Sequence, residues 1–273
     1  MRRRPSRLVI LGHPVRHSLS PRFQNAALGA AGIALVYEAL DVERADLERR
    51  LLELRDSGAA GNVTIPHKEH AAAICDTLTP DARRAGAVNT FWVEDGLLVG
   101  DNTDIGGFAA AVTALLGHTP TNARIALLGA GGAAAAVLCA VSTWPGCRVA
   151  IHNRTASRAH LLRARQPEAC EVAASALDAV RGAQLVVNAT SIGLQDDAMP
   201  VSVEALSDGC AVLDLVYRPG ETAFVRAARE RGLRAADGLA MLVEQGALAF
   251  ERWLGVEPDR KAMWAALESS GTG

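Results

Sequence analysis

The sequence predicts an α/β protein of two domains, each built on a mainly parallel sheet. Apolar runs of strand length alternate with segments of helical spacing along almost the entire 273 residues. This alternation is typical of parallel strands joined by crossover helices. The pattern becomes more regular after residues 117–120, a change near residue 104 suggests two domains, and the length suits two domains of ordinary size. We therefore predict domains over 1–104 and 105–237, with helices over 238–273 that pack back on the first domain.

In the first half, short apolar runs predict strands, and leucines at helical spacing among charges predict helices. Pro21 suits the first turn of a helix, Leu47, Leu51 and Leu54 have helical spacing, and Asp95-Gly96 is typical of a hairpin turn. The predicted strands are Leu8–Leu11, Val36–Leu40, Asn62–Ile65, Asn89–Val93 and Leu97–Gly100. The predicted helices are Pro21–Ala31, Ala45–Arg55, Lys68–Cys75 and Asp104–Leu116.

In the second half, each buried apolar run is followed by a segment that favours a helix, which indicates a second parallel sheet. The predicted strands are Arg124–Leu128, Arg148–His152, Leu185–Asn188 and Ala211–Leu215. The predicted helices are Gly132–Ser142, Ala156–Arg165, Thr222–Arg231 and Gly238–Leu254, with Lys261 in a polar turn before the last helix.

Composition excludes several classes of protein. A hydrophobic fraction of 49% argues against disorder, and a net charge of −2 gives no reason to bind nucleic acid or an anionic membrane. Five scattered cysteines without a C-x-x-C pair argue against zinc and disulfides and favour a reducing compartment. No apolar run reaches membrane-spanning length, and the one after the basic start is too short for a signal peptide. We therefore expect a cytoplasmic protein with no nucleic-acid or membrane partner. The sequence leaves open whether it is a monomer or a homodimer.

The chain contains two lysines, Lys68 and Lys261, among 28 basic residues; the others are arginine. Because arginine and lysine are interchangeable at most solvated positions, a retained lysine suggests chemistry that arginine cannot do. Chance retention is the alternative.

A glycine-rich turn between a predicted strand and a predicted helix predicts a dinucleotide site. Gly129-Ala130-Gly131-Gly132-Ala133-Ala134 matches G-x-G-x-x-A. Glycines allow a tight turn and close approach of the backbone to a pyrophosphate, which then meets the free N–H groups of the helix N-terminus. The alternative is an ordinary turn in an alanine-rich chain.

The next strand lacks the acid that would bind the ribose 2′-hydroxyl of NAD. No Asp or Glu occurs between Ala133 and Pro167, and the strand ends in Asn153-Arg154-Thr155, with Arg158 one helical turn after Arg154. Paired guanidiniums suit a 2′-phosphate, so the sequence predicts NADP(H) over NAD. Solvated arginines are the alternative.

Four polar motifs precede residue 105, each at the boundary of a predicted element: residues 12–21, 62–68, 87–90 and 100–104. Ligands of open α/β sheets bind at the carboxyl ends of strands, and a polyhydroxylated acid needs Ser, Thr and Asn partners. Each motif also has an ordinary interpretation. Ser20 and Asp104 suit N-caps, Asn62 and Asn89 suit turns, and Lys68 suits a solvated helix position.

These motifs resemble the shikimate dehydrogenase family. They read G-x-P-x-x-H-S-x-S, N-V-T-I-P-H-K, A-V-N-T and D-N-T-D, followed by G-A-G-G-A and N-R-T. The similarity continues through residues 188–191, 214–217 and 237–245 and so covers nearly the whole chain in order. The resemblance implies an N-terminal substrate domain, a Rossmann NADP-binding domain and C-terminal helices that return to the first. It also implies reduction of 3-dehydroshikimate to shikimate with NADPH, on the chorismate pathway to aromatic amino acids.

The resemblance also implies roles for particular residues. Lys68 and Asp104 match the catalytic pair. The residues that match substrate contacts are Ser18, Ser20, Thr64, Asn89, Tyr217 and Gln245. The residues that match the cofactor site are Gly129, Ala130, Gly131, Gly132, Ala133, Asn153, Arg154, Thr155 and Arg158, with Leu215 and Gly238 near the nicotinamide.

One residue departs from the family pattern, since Ile105 stands where D-N-T-D is usually followed by glycine. Its bulk beside Asp104 could alter domain closure or substrate choice. Ser20, where the family comparison associates threonine with quinate, favours shikimate.

For the chemistry, a positioned Lys68 ammonium would donate a proton to the forming alkoxide, and the neutral amine would accept one in reverse. Arginine stays protonated in proteins and cannot do so. The alternatives are a dehydrogenase for quinate or an aminated shikimate, and a non-catalytic paralogue that binds such a ligand. No metal is expected, because His13, His17, His67 and His70 lack ligand spacing with carboxylates.

Overall fold

The structure, a computed structural model, describes residues 4–166 and 168–268. Residues 1–3 of the predicted first domain and residues 269–273 of the predicted C-terminal segment lie outside the described ranges. The chain divides into two compact units, one formed by residues up to 107 together with those from 242 onward, the other by residues 108–241. Within the described residues, no helix is both long enough and apolar enough to cross a membrane.

The first unit contains a mixed sheet with the strand order β2-β1-β3-β5-β6-β4. Among its described strands, β5 alone runs antiparallel to its neighbours, β3 and β6. The strands are β1 (Leu8–Gly12), β2 (Tyr37–Asp41), β3 (Ala60–Val63), β4 (Thr77–Leu78), β5 (Thr90–Glu94) and β6 (Leu97–Asp101). The helices that begin in or return to this unit are α1 (Ser20–Ala30), α2 (Leu47–Asp56), α3 (Lys68–Ile74), α4 (Pro80–Ala85), α5 (Asp104–Leu116), α10 (Leu239–Leu254) and α11 (Arg260–Glu268).

All five residues of β1 are buried, because helices cover both faces of this sheet. Leu8 and Ile10 belong to a core cluster with Phe23 of α1 and Phe250 of α10. Their neighbours along the strand pack into a second cluster with residues of α2. The alternation of side chains along β1 therefore fills two cores and fixes three layers.

The second unit contains a wholly parallel sheet with the strand order β12-β11-β10-β7-β8-β9. This is the doubly wound order 3-2-1-4-5-6 of dinucleotide-binding folds, and its topological switch point lies between β7 and β10. The strands are β7 (Arg124–Leu128), β8 (Arg148–His152), β9 (Cys170–Val172), β10 (Leu185–Asn188), β11 (Ala211–Asp214) and β12 (Arg234–Ala236). Its other helices are α6 (Gly132–Val141), α7 (Ala156–Arg165), α8 (Ala176–Val180) and α9 (Ala223–Glu230).

The predicted α/β fold with two mainly parallel sheets is confirmed, and the strand over Arg148–His152 begins and ends as predicted. The prediction that Lys261 lies in a polar turn before the last helix is wrong, because Lys261 lies inside α11. Asp259 caps that helix by accepting from the N–H groups of Lys261 and Ala262. Sequence reasoning also missed the short elements β4, α4, β9, α8 and β12.

Candidate active site

A lysine and a carboxylate meet at the carboxyl ends of β3 and β6. Lys68 is the first residue of α3 and Asp104 the first residue of α5. The Lys68 Nζ donates to Asp104 Oδ2 at 2.6 Å, and the two side chains are 16% and 5% exposed. The interpretation of Lys68 as a solvated helix residue is therefore wrong. The Asp104 carboxylate is engaged by other side chains rather than exposed as a simple helix cap.

The Asn89 amide joins this pair to α10 and to the backbone of Thr103. Its Nδ2 lies 2.9 Å from Asp104 Oδ1 and 3.1 Å from Gln245 Oε1 on α10. Its Oδ1 accepts from the Thr103 backbone N–H at 2.7 Å, which fixes the orientation of the amide. Asn89 lies in a bend just before β5 and is buried, so its side chain has a role beyond shaping the chain there.

The interpretation of Asn62 as a turn residue is wrong, because Asn62 lies in β3 and is buried. Its Nδ2 donates to the Asn89 carbonyl at 3.0 Å, and its Oδ1 accepts from the Tyr37 hydroxyl at 2.6 Å. Burial raises the pKa of Tyr37 well above its ordinary value, so this hydroxyl stays a donor. Sequence reasoning assigned no role to Tyr37, whose place in the polar cluster depends on the pairing of β2 with β1.

The loops after β1 and β3 run together and carry the hydroxyl side chains. The Thr64 N–H donates to the Leu11 carbonyl at 2.8 Å. A Cβ on Gly12 would lie 2.5 Å from Thr64 Cγ2, so the two loops can approach this closely only because residue 12 is glycine. Ser18 is half-buried and Ser20 buried, and the N-cap of α1 is Leu19. The N-cap interpretation of Ser20 is therefore wrong.

A second carboxylate, Asp101, lies buried at the end of β6, and sequence reasoning missed its partners. Its Oδ2 accepts from Arg252 Nε of α10 at 2.9 Å, and its Oδ1 accepts from the Thr79 hydroxyl and the Asn102 N–H. Arg252 follows Gln245 by seven residues on one helix, a spacing that places both on one face. That spacing was the available signal.

The histidines near the motifs have structural partners. The His67 ring is buried with Nε2 at 2.6 Å from the Val42 carbonyl, and burial lowers its pKa. His13 Nδ1 lies 2.9 Å from Asp41 at the surface. Among the described residues, no group of three or more His, Cys, Asp or Glu side chains could hold a metal ion.

In the second unit, the glycine-rich turn follows β7 at the topological switch point. Gly129 has φ +117°, and a Cβ there would lie 2.6 Å from the Ala189 carbonyl oxygen of the loop after β10. Gly131 is the N-cap of α6 and faces open space. The turn, with Ala130, Gly132 and Ala133, thus leaves the N-terminal N–H groups of a ten-residue helix accessible to a phosphate.

The end of β8 offers cationic groups and no carboxylate. Asn153 Nδ2 donates to the Thr155 carbonyl at 2.9 Å, which shapes the turn into α7. Arg154 and Arg158 are both exposed, and neither guanidinium has a hydrogen-bond or ion-pair partner in the described part of the chain. Two uncommitted guanidiniums fit a 2′-phosphate better than a ribose hydroxyl.

The ends of β10 and β11 are joined by a buried carboxylate. Asp214 accepts from Asn188 Nδ2 at 2.8 Å, from the Thr222 hydroxyl at 2.7 Å and from the Val216 N–H. Burial is the main reason that the pKa of Asp214 is raised. A Cβ on Gly238 would lie 2.2 Å from the Leu215 carbonyl oxygen, so glycine is required there.

Tyr217 belongs to the second unit, whereas the other predicted substrate contacts belong to the first. It is half-buried, and burial raises the pKa of its hydroxyl. The structure therefore brings together Lys68, Asn89, Asp104 and Gln245 within the first unit, while the cofactor candidates and Tyr217 are described within the second.

The doubly wound sheet with its glycine turn, and the polar cluster around a Lys–Asp pair, place the chain among α/β dehydrogenases with a Rossmann-type unit. Family models described as the shikimate dehydrogenase substrate binding domain and the shikimate 5′-dehydrogenase C-terminal domain match residues 10–91 and 238–268. The chain belongs to the shikimate dehydrogenase family.

Relatives and a solved structure match over nearly full length. The shikimate dehydrogenase (NADP(+)) of Rubrobacter xylanophilus is 46% identical over 273 residues, 96% of this chain and 95% of the relative. That of a Thermus thermophilus strain is 45% identical, over 94% of this chain and 95% of the relative. The crystal structure of shikimate 5-dehydrogenase from another strain of Thermus thermophilus, with NADP(H) and shikimate, has a TM-score of 0.88 at 41% identity, covering 96% of this chain and 98% of that one.

Proposed function

We propose that this chain is an NADP-dependent shikimate dehydrogenase, which reversibly reduces 3-dehydroshikimate to shikimate on the route to chorismate and the aromatic amino acids. The observation that carries the proposal is the Lys68–Asp104 pair, 2.6 Å apart and largely buried among amide and hydroxyl side chains. The chain's membership of the shikimate dehydrogenase family supports the choice of substrate. We further propose a cytoplasmic location, supported by five free cysteines, and a monomer or homodimer.

We propose that Lys68 is the general acid of the reduction and the general base of the reverse reaction. Its ammonium donates to the substrate oxygen as that oxygen gains negative charge, and the neutral amine accepts the proton in the oxidation direction. Asp104 orients the amine through Oδ2 while its Oδ1 accepts from Asn89. The carboxylate is therefore held at both oxygens, so the amine it binds is held in a fixed direction.

The substrate's hydroxyls and carboxylate need donors and acceptors that are already fixed in place. Asn89 and Gln245 are linked to each other at 3.1 Å. Ser18 and Thr64 lie on the loops after β1 and β3, and Ser20 is the first residue of α1. A rigid set of this kind limits the entropy lost on binding. We propose that these side chains, with the Tyr217 hydroxyl, bind the substrate.

The residues present fit NADP(H). The N-terminal turn of α6 at residues 129–133 would hold the diphosphate, and Arg154 and Arg158 would hold the 2′-phosphate, with Asn153 and Thr155 shaping that turn. Leu215 and Gly238 would lie near the nicotinamide. When bound, the cofactor supplies the hydride that reduces the ketone.

The decisive measurement is kcat/KM for 3-dehydroshikimate with NADPH and with NADH, followed by 3-dehydroquinate with NADPH. The proposal expects turnover with 3-dehydroshikimate, a preference for NADPH, and a lower value for 3-dehydroquinate. A higher value for 3-dehydroquinate would instead support a quinate dehydrogenase. Tight binding of shikimate by calorimetry, without turnover in either direction, would contradict the enzyme and leave a ligand-binding paralogue.

A further inference from the structure

Two of the polar contacts of helix α10 lie seven residues apart and reach Asn89 and Asp101, close to the Lys–Asp pair. Gln245 Oε1 accepts from the Asn89 amide, which also binds Asp104. Arg252 Nε donates to Asp101 Oδ2 at 2.9 Å, and Asp101 lies three residues before Asp104. One helix face is therefore attached to the segment 101–104 at two levels.

Asp101 is a fixed acceptor. Its side chain is only 3% exposed, and its other oxygen is held by the Thr79 hydroxyl and the Asn102 N–H. Thr79 is itself fixed, because it is the N-cap of α4 and accepts from the Ala82 N–H. The Arg252 guanidinium thus binds a carboxylate that has little freedom to follow it if α10 shifts.

Two buried hydrogen bonds and close apolar contacts also hold α10: Gln24 Nε2 donates to the Gly246 carbonyl at 2.9 Å, and Trp253 Nε1 donates to Thr90 Oγ1 at 2.9 Å. A Cβ on Gly246 would lie 2.4 Å from Phe23 Cε2, so the helix approaches α1 closely at the level of Gln245. Neighbouring Ala247 and Ala249 are small side chains in the same core. Burial of such surfaces is non-directional, whereas a hydrogen bond between charged groups has a direction and a length.

We propose that Arg252 and Asp101 are positioning residues for the proposed reaction: their ion pair ties α10 to the segment 101–104 and so helps to hold the Gln245 amide against Asn89, which binds Asp104. The inference rests on the proposed function. Arg252 is 53% exposed and Asp101 only 3%, so removing Arg252 also leaves a buried carboxylate without its cation and costs stability. The positioning role is therefore tested by KM and not by Tm.

The test compares Arg252→Gln with the wild-type enzyme. Because Gln245 is proposed to contact substrate, we expect KM for 3-dehydroshikimate to rise about 5- to 20-fold, with a smaller change in kcat, as for loss of a contact made equally in the ground and transition states. KM for NADPH should stay unchanged. The matched control is Glu251→Gln, the adjacent residue on α10, whose carboxylate faces Arg260 and not the segment 101–104.

A double-mutant cycle with Gln245→Ala separates positioning from general damage. If Arg252 acts through Gln245, Arg252→Gln should raise KM in the wild-type background and leave it unchanged in the Gln245→Ala background. An equal factor in both backgrounds would overturn the proposal. So would a lowered Tm with an unaltered KM, which is the result of a merely structural role.

A readout independent of turnover keeps this inference distinct from the proposed function. Amide hydrogen exchange should become faster over residues 242–254 in Arg252→Gln and stay at the wild-type rate in Glu251→Gln. Absence of wild-type activity with 3-dehydroshikimate would contradict the function, whereas unchanged exchange in Arg252→Gln would contradict the positioning role.

Discussion

At Lys68 the chain keeps an amine in a region where a guanidinium of equal charge would be chemically different. The ammonium lies 2.6 Å from Asp104 and is largely shielded from water. An amine can release and regain a proton, whereas arginine stays protonated in proteins. The identity of this residue therefore tests whether the site needs a proton or only a charge.

We predict that Lys68→Arg loses nearly as much kcat as Lys68→Ala, about 10²–10⁴-fold, because both variants lack a group that can exchange the proton. The measurement is steady-state reduction of 3-dehydroshikimate by NADPH. Lys261→Arg is the matched control, since Lys261 is the chain's other lysine and lies in α11. If Lys68→Arg keeps most of its kcat, Lys68 acts as a fixed charge and the acid–base role is wrong.

Asp104→Asn should also slow turnover, by about 10-fold or more, because an amide cannot accept equally from Lys68 and Asn89 at its two ends. The kinetic assay is the same, and Asp46→Asn, a surface partner of Arg49, serves as the control. Normal turnover in Asp104→Asn would remove this carboxylate from the catalytic pair.

Arg154 and Arg158 are the residues proposed to bind the 2′-phosphate of the cofactor. We expect Arg154→Ser with Arg158→Ser to raise KM for NADPH about 10-fold or more and to change KM for NADH little, because only NADPH carries the 2′-phosphate. Arg165→Ser, at the C-terminal end of α7, is the control. An equal change for both cofactors would place the 2′-phosphate elsewhere.

At the scale of elements, the turn from β7 into α6 depends on a glycine for two separate reasons. Gly129 has φ +117°, where an L side chain is strained, and a Cβ would lie 2.6 Å from the Ala189 carbonyl oxygen. This close approach brings together the loops after β7 and β10, the two strands beside the switch point. The approach of these loops therefore shapes the proposed diphosphate site.

We expect Gly129→Ala to weaken NADPH binding about 10-fold or more and to lower Tm, because the loop after β10 must move away. Binding is measured by fluorescence titration of NADPH. Gly182→Ala is the control, since Gly182 also has a positive φ of +69° but faces open space. An equal loss of Tm with unchanged NADPH affinity in both variants would show that only backbone strain matters.

The short elements explain where sequence reasoning failed at this scale. Strands such as β9 and β12 have three residues each, too few for a period of two to be recognised. The helices that were missed or misplaced did carry signals. Thr79 before Pro80 caps α4, Ser175 caps α8 by accepting from the Asp178 N–H, and Asp259 caps α11.

At the scale of the whole molecule, both sheets place their polar residues at the carboxyl ends of strands. In the first unit this edge carries the Lys–Asp pair, and in the second it carries the glycine turn and a fully buried carboxylate, Asp214. A buried carboxylate that lacks a cationic partner costs stability when ionised, and Asp214 has three neutral donors.

This burial gives a prediction about the pH dependence of stability. Burial raises the pKa of Asp214 in the folded protein above its value of about 3.9 in the unfolded chain. Its contribution is therefore fully present below the unfolded pKa and is lost as pH rises through the folded one. The Tm of the wild type minus that of Asp214→Asn, followed by circular dichroism, should fall as the pH rises above about 4. A constant or rising difference would contradict it.

The sequence by itself determined the α/β class, the order of most elements, the glycine turn and the resemblance that named Lys68 and Asp104. These follow from local pattern, because hydrophobic period, turn chemistry and motif spacing are properties of neighbouring residues. Whether Asn62 lies in a turn, and whether Lys68 is solvated, could not be predicted from local pattern. Those alternatives were decided by burial, which depends on strands distant in the chain.

Only the tertiary structure decided which polar side chains share a partner. Arg252 and Asp101 are 151 residues apart in the chain, and Asn89 and Gln245 are 156 apart, yet each pair is hydrogen-bonded. Such contacts depend on the strand order of the first sheet and on α10 packing beside it, to which no local pattern refers. The physical reason is that directional bonds between distant residues form only where packing brings their atoms within about 3 Å.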